Sequence, residues 1–405
     1  MSTGLLESPL TAQPPPAPGP VPWVRRLAPG DREVLWLYLL TRVGIWTLAY
    51  CARWVFPGDG SARDPAPLLS PFERWDWNLY LDIARTGYFP GGSGPWKAGW
   101  DNREAFFPGF PLCLRAVHTV IPNWTAAGLL VSFVSGGVVV LALARIARNQ
   151  LPDGGTDPGP HAVLFLLLSP CAVFLAIGYS EALFLAFALP AWLAAQRRDW
   201  PVAAVLAALA TSVRVTGLFL AAAIALHFLL TVRAEAPGRR WRRLPWLLLP
   251  AQPVAVLFWY LHTHTGDWAA WDHAQQRGWH REFHTPWEAW LNTWHTAFGH
   301  GYPLSFAAAF QAELLAMLVG VAVLAVLVKQ RRWPEGLYLA LNLAALGTSF
   351  WYMSVPRATL LWWPLWTLLA ARARKVPRFT VTYTALVAPL SVVIALTFLT
   401  GRWTG

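Results

Sequence analysis

Ala126 to Arg148 reads AAGLLVSFVSGGVVVLALARIAR, a run without a charged side chain until Arg145. A helix needs roughly 20 mostly apolar residues to cross a bilayer, so this stretch reads as a membrane span. Working outward, comparable runs lie near 34–55, 161–178, 180–197, 200–213, 216–232, 245–264, 305–328, 335–353, 357–373 and 379–400, about eleven spans in all. The pairs meeting at 178–180 and 213–216 leave almost no loop, so each reads as a tight hairpin. A chain of 405 residues that is 56% hydrophobic and 13% charged has more apolar surface than one soluble core can hide. The expected fold is an all-α, polytopic integral membrane protein.

Charge placement orients the spans. The formal charge of +11 comes from short arginine clusters between apolar runs, a topology signal that leaves no reason to expect a nucleic-acid partner. With the N-terminus inside, Arg145/Arg148, Arg197/Arg198, Arg233 to Arg243, Lys329 to Arg332 and Arg372 to Arg378 all fall in the cytoplasm. The alternation requires that Phe106 to Ile121, which carries Arg115 and His118, lie in the interface rather than cross. Residues 1–32, poor in apolar side chains and containing Pro14-Pro15-Pro16, read as a disordered cytoplasmic tail without a cleavable signal. Residues 33–405 read as one multi-span domain, with long external loops at 56–125 and 265–304; loops of that length are usually functional. Cys51, Cys113 and Cys171 have no metal-like spacing and read as small apolar side chains.

The chemistry-bearing residues gather at the external ends of the spans. Arg74-Trp75-Asp76-Trp77-Asn78-Leu79-Tyr80 leads into an amphipathic helix with Leu79, Tyr80 and Ile83 on one side. Asp76 at its start suits a general base and equally suits a helix cap. Phe106 and Phe107 read as interfacial anchors. Tyr179-Ser180-Glu181 puts an acid where the chain re-enters the membrane, either as a cap or a site residue. Arg214 sits at a hairpin turn and Arg357 at the external start of a span, where two guanidiniums can grip one phosphate by forked hydrogen bonds. Seven of the ten histidines lie between His262 and His300. His280 and His284 would face the same way on a helix, but their order is not that of a metalloprotease motif, and no metal site is expected. Arg42 falls inside a span and is expected to snorkel; Glu313, also inside a span, has no evident role.

Read in order, Arg74-Trp75-Asp76, Ile83-Ala84, Gly87-Tyr88, Ala105 to Leu112, Leu168-Ser169-Pro170, Gly178 to Phe184 and Val213-Arg214 with Gly217 resemble the PIG-V family, that of the second mannosyltransferase of GPI-anchor assembly. The likeness is sharpest over 74–217 and thins to Gln275 with Trp279 and then Pro356-Arg357, where Ala358 departs from the aromatic residue often found in bacterial relatives. It implies a GT-C glycosyltransferase with interfacial helices in the first external loop. Mannose would come from polyprenyl- or dolichyl-phosphate mannose and go to a glycolipid or protein acceptor on the external face, by inversion and without metal or other cofactor. On that reading Asp76 is the base and Arg214 and Arg357 bind the donor phosphate. Trp75, Tyr179, Glu181, Gln275 and Trp279 are candidates for sugar or acceptor contacts. The expected location is a bacterial plasma membrane, or the endoplasmic reticulum membrane in a eukaryote. Rival readings are another polyprenyl-phosphate sugar, a lipid or lipid-linked-sugar transporter using Arg42, Arg214 and Glu313, and a non-catalytic scaffold subunit.

Overall fold

The computed structural model describes residues 29–55, 67–92, 102–151, 155–232 and 243–404. Most of the expected N-terminal tail, parts of the first long loop and most of the Arg233 to Arg243 cluster lie outside those residues. Among the described residues the chain forms sixteen α-helices joined by short 3-10 turns, with no strand. They are α1 (Pro29–Val55), α2 (Asp76–Thr86), α3 (Gly109–His118), α4 (Trp124–Gln150), α5 (Pro158–Leu167), α6 (Ser180–Gln196), α7 (Trp200–Val213) and α8 (Gly217–Val232). Then follow α9 (Gln252–Thr265), α10 (Ala270–Trp279), α11 (Pro286–Phe298), α12 (Leu304–Lys329), α13 (Trp333–Gly347), α14 (Val355–Ala358), α15 (Trp363–Lys375) and α16 (Arg378–Leu399).

Five helical segments are long and apolar enough to cross a membrane: Gly30–Val55, Trp124–Gln150, Leu244–Thr265, Leu304–Lys329 and Arg378–Leu399. The other expected spans fall on shorter helices, among them α5 to α8 with 10 to 17 residues each. The expected run 161–178 ends as a helix at Leu167 and continues as a 3-10 turn over Ala172–Leu175. That break follows from Pro170, whose ring and missing N–H stop the ladder. The protein is thus a membrane protein in which α1, α12, α16 and the Leu244–Thr265 segment lie mostly at the surface of the bundle, while α4, α5 and α6 are well buried. α6 exposes little of its length, whereas α16 is mostly at the surface.

Helix starts follow ordinary capping chemistry. Asn123 accepts the Ala126 N–H, Asp157 the Gly159 N–H and Asp199 the Val202 N–H. Thr285 and Glu288 form a reciprocal capping box on α11. α3 has ten residues, about 15 Å at the helical rise, roughly half the thickness of a bilayer's hydrocarbon core.

The bundle has two chemically distinct ends. At one, the Arg148 guanidinium bridges Asp31 (2.5 Å) and Asp157 (2.8 Å), Arg332 meets Gln150 and Glu335, and Arg374 donates to the Leu151 carbonyl. Basic groups far apart in sequence therefore share one face. α6 runs from Ser180 to that face at Arg197, and α7 returns from it to Arg214. Ser180, Glu181 and Arg214 consequently stand together at the opposite end.

Arg42 departs from expectation. It is buried, lies over the Tyr38 ring at 5.0 Å, and none of its three side-chain nitrogens has a hydrogen-bond partner among the described residues. A snorkelling arginine would reach water; this one is held inside by α1 packing on α4.

Candidate active site

Trp77 fixes α2 on the bundle. Its indole lies between Gly128 of α4 and Gly178, where an added Cβ on either glycine would come within 2.6 Å of the ring. Gly109 likewise rests on the backbone of Ser212, and Gly217 on that of Thr211. The glycines of the ordered motifs are therefore close-approach positions. The buried face of α2 is Trp77, Tyr80, Ile83 and Ala84, while Leu79 sits at its half-buried flank.

This packing brings Asp76, the first residue of α2, to a four-member ionic cluster. Arg357 donates from Nη1 to Asp76 Oδ2 at 2.7 Å and from Nε to Glu181 Oε1 at 2.5 Å. Arg214 donates from Nη1 to the same Glu181 oxygen at 2.8 Å and to Ser180 Oγ at 2.7 Å. Tyr80 also donates to Ser180 Oγ, at 2.8 Å. Burial, with the Asp76 and Glu181 carboxylates, raises the Tyr80 phenol above its usual range, which keeps it a donor. Glu181 is fully buried and the Asp76 side chain is 19% exposed, so only the latter has access to a substrate. Asp76 Oδ1 accepts no hydrogen bond from the described residues.

Arg357 is held from behind. Its guanidinium lies over the rings of Phe174 (4.6 Å) and Tyr179 (4.9 Å), a cation–π seat that fixes its plane. Tyr179 is buried and its hydroxyl donates to the Arg74 carbonyl at 2.6 Å. Glu313 takes the backbone N–H groups of Ser354 (2.8 Å) and Val355 (2.7 Å), capping the short helix that carries Arg357. That is the role its sequence position did not disclose. Ser354 and Trp75 both have positive φ, 67° and 51°, a conformation that costs a residue with a Cβ about 1–3 kcal/mol and clusters at functional sites.

The cluster opens on a cavity of about 390 Å³, lined among others by Asp76, Tyr80, Phe106, Arg214, Gln275, Trp279, Arg281 and Arg357. Gln275 and Trp271 both donate to the Ala105 carbonyl, and Trp279 meets Phe106 edge-on at 5.5 Å, so α10 is tied to the first long loop. Of the residues expected from sequence, Asp76, Arg214, Arg357, Gln275 and Trp279 line this cavity. Glu181 and Tyr179 lie behind its wall; Trp75 is 48% exposed and outside the lining. α10 ends at Trp279 and His280 turns into the left-handed region, so His280 and His284 do not share a helix face. Among the described residues no group of three or more His, Cys, Asp and Glu side chains is arranged to hold a metal ion.

Arg281, Tyr80, Ser180 and Glu313 were not singled out as site residues by sequence. Arg281 is pulled down to about 10 by burial and by the facing Arg214 and Arg357, against the attraction of Asp76 and Glu313, and stays protonated at neutral pH.

Residues 67–233 match the family model described as Mannosyltransferase (PIG-V). The chain is 35% identical over 162 residues to GPI alpha-1,6-mannosyltransferase 2 of Cricetulus griseus, covering 37% of this chain and 30% of that protein. It is 32% identical over 193 residues to the Mus musculus protein of the same name, covering 45% and 36%. The human protein of that name is 35% identical over 161 residues, covering 37% of this chain and 30% of the relative. The matches thus span about a third of the relatives' own length. The crystal structure of ArnT from Cupriavidus metallidurans bound to undecaprenyl phosphate aligns over 92% of this chain and 78% of that one, at a TM-score of 0.44 and 14% identity, too loose for residue-by-residue comparison. The match to the Mannosyltransferase (PIG-V) family model thus runs from the approach to Asp76 through Arg214.

Proposed function

We propose that the protein is a GT-C-type membrane glycosyltransferase that takes mannose from a polyprenyl- or dolichyl-phosphate carrier and passes it to a glycolipid or protein acceptor. The observation that carries the reading is a carboxylate with one oxygen held by Arg357 and the other unengaged, facing a cavity lined by arginines. In an inverting transfer, the acceptor hydroxyl forms a bond to the anomeric carbon as the bond from that carbon to the phosphate oxygen breaks. Asp76 takes the hydroxyl proton through Oδ1, and the lipid leaves as its monophosphate. Arg214 and Arg357 supply positive potential where that negative charge builds. Trp279 and Gln275, on the cavity wall, are placed to meet the sugar or the acceptor. By the positive-inside rule the basic face of the bundle is cytoplasmic and the cavity external.

The transporter reading needs ionisable groups along one path. Arg42 instead lines a separate apolar groove with Trp46, Phe72 and Phe133, while Glu313 is occupied with backbone N–H groups. The family match over 67–233 favours transfer for the same stretch.

The test is mannose transfer from synthetic polyprenyl-phosphate mannose by the purified chain, comparing wild type with Asp76→Asn. Loss of a general base lowers turnover by about 10²- to 10⁴-fold. A wild-type protein inert with every polyprenyl-phosphate sugar, or an Asp76→Asn variant with full turnover, overturns the assignment.

A further inference from the structure

We propose that Arg281 is the direct ligand of the donor phosphate, with Arg214 and Arg357 forming a fixed, internally neutralised frame behind it. The proposal deepens the transferase reading and rests on it.

The argument is one of charge and commitment. Arg214 and Arg357 are matched by Glu181 and Asp76, and every one of those four groups has a partner at 2.8 Å or less. An arginine so engaged has its fork already aimed at protein oxygens. Arg281 lines the same cavity, half-buried, and its guanidinium makes no hydrogen bond or ion pair with any described residue. Two carboxylates at the rim are turned elsewhere: Asp272 accepts from Gln276 at 2.9 Å, and Glu282 lies 3.4 Å from His284. Glu313, the remaining acid of the inner cluster, spends both oxygens on the Ser354 and Val355 N–H groups, so Arg281 is the one arginine there without a hydrogen-bonded counter-charge. A sugar phosphodiester carries one negative charge, and the lipid monophosphate left after transfer carries more. An anion there replaces repulsion among three guanidiniums with forked hydrogen bonds.

Chain geometry delivers this side chain. α10 stops at Trp279, and His280 adopts φ 51° with its N–H closing on the Gln276 carbonyl. The backbone turns sharply, so Arg281 leaves the helix and enters the cavity instead of continuing around α10. Gln275 and Trp271 tie that helix to Ala105, fixing the turn relative to Asp76.

The experiment compares the full-length protein in lipid nanodiscs with its Arg281→Gln and Arg281→Lys variants. It measures melting temperature with polyprenyl monophosphate or inorganic phosphate as the probe, and KM for donor and acceptor separately. Without ligand, Arg281→Gln is expected to melt at or above the wild-type temperature, because it removes an unpaired cation facing two others. Polyprenyl monophosphate should stabilise wild type but not Arg281→Gln. Its affinity should fall by about 10- to 100-fold, the range for a hydrogen bond to a charged group, with a matching rise in donor KM and little change for the acceptor. Arg281→Lys should recover part of that loss.

If Arg281→Gln binds polyprenyl monophosphate as tightly as wild type, the proposal is overturned while the transferase reading stands. If wild type neither binds the lipid phosphate nor transfers sugar, the transferase reading falls and this inference with it. Equal stabilisation by inorganic phosphate, abolished by Arg281→Gln, keeps Arg281 as the phosphate ligand but moves the source to free phosphate, against a lipid donor.

Discussion

Arg357 donates to the Asp76 carboxylate at 2.7 Å across 281 residues of chain, joining the start of α2 to the short helix α14. The same guanidinium reaches Glu181, so one side chain organises two carboxylates from different elements. A lysine cannot hold both: its ammonium is a point donor without a planar fork. Arg357→Lys is expected to fold and to lose about 10²-fold or more in turnover, the scale of losing one preorganised charge-stabilising donor. Arg357→Ala should also destabilise by about 3–5 kcal/mol, because it leaves the buried Glu181 under-compensated. Turnover and thermal denaturation check the two effects separately; an Arg357→Lys enzyme of full activity would contradict the arrangement.

Glu313 reaches the same residue from the opposite side, through the backbone. Both its oxygens accept N–H groups at the start of α14. Glu313→Gln keeps one acceptor and turns an NH₂ toward the other N–H, leaving a buried donor unmet at a cost of about 1–3 kcal/mol. The expected result is a lower melting temperature and a fall in kcat larger than any rise in donor KM, since Arg357 and Asp76 shift while the cavity keeps its lining. A variant with unchanged kcat would show that Glu313 does not position Arg357.

The two fates of Glu313 and Arg42 show how far the sequence could be read. Both are ionisable residues inside apolar runs, and pattern alone had Arg42 snorkel and left Glu313 without a role. Only tertiary packing separates them, because the partners of Glu313 are backbone groups 41 and 42 residues away and the surroundings of Arg42 are rings and aliphatics from neighbouring turns and from α4. Local signals were legible where they are strong: long apolar runs gave the membrane class, and basic clusters distant in sequence gave the common face. Asp76, Arg214 and Arg357 were legible as charges at helix ends. Arg281 was not, because it stood in a polar loop beside several histidines, and its isolation from any partner exists only in three dimensions.

The basic face makes a pH prediction of its own. Burial opposes the charged form of Asp157, but hydrogen bonds from Arg148 and the Gly159 N–H outweigh it and hold the carboxyl below its usual range. A carboxyl depressed on folding adds stability above its unfolded value and loses it as pH falls through the folded one. Thermal stability should therefore decline below about pH 4, where an unfolded aspartate begins to take up its proton. Asp157→Asn should lose part of the stability at neutral pH and flatten that decline. An identical acid profile for variant and wild type would assign the decline to other groups.

The packing of Trp77 between Gly128 and Gly178 bears on activity without touching substrate. A methyl group at Gly178 would come within 2.6 Å of the indole, so Gly178→Ala must push Trp77, and with it the first turn of α2 and Asp76, off their seat. Overpacking of this kind costs about 1–3 kcal/mol, and turnover should drop with it because the base moves. Trp77→Phe alone leaves a cavity and is also destabilising. Combined, the smaller ring makes room for the methyl group, so the double variant should be more stable than the sum of the two losses, by about 0.5 kcal/mol or more for residues in contact. Partial recovery of turnover in the double variant would tie the glycine of the Gly178-Tyr179-Ser180-Glu181 motif to placement of Asp76. Strict additivity in both stability and turnover would mean that Gly178 serves some purpose other than seating the indole.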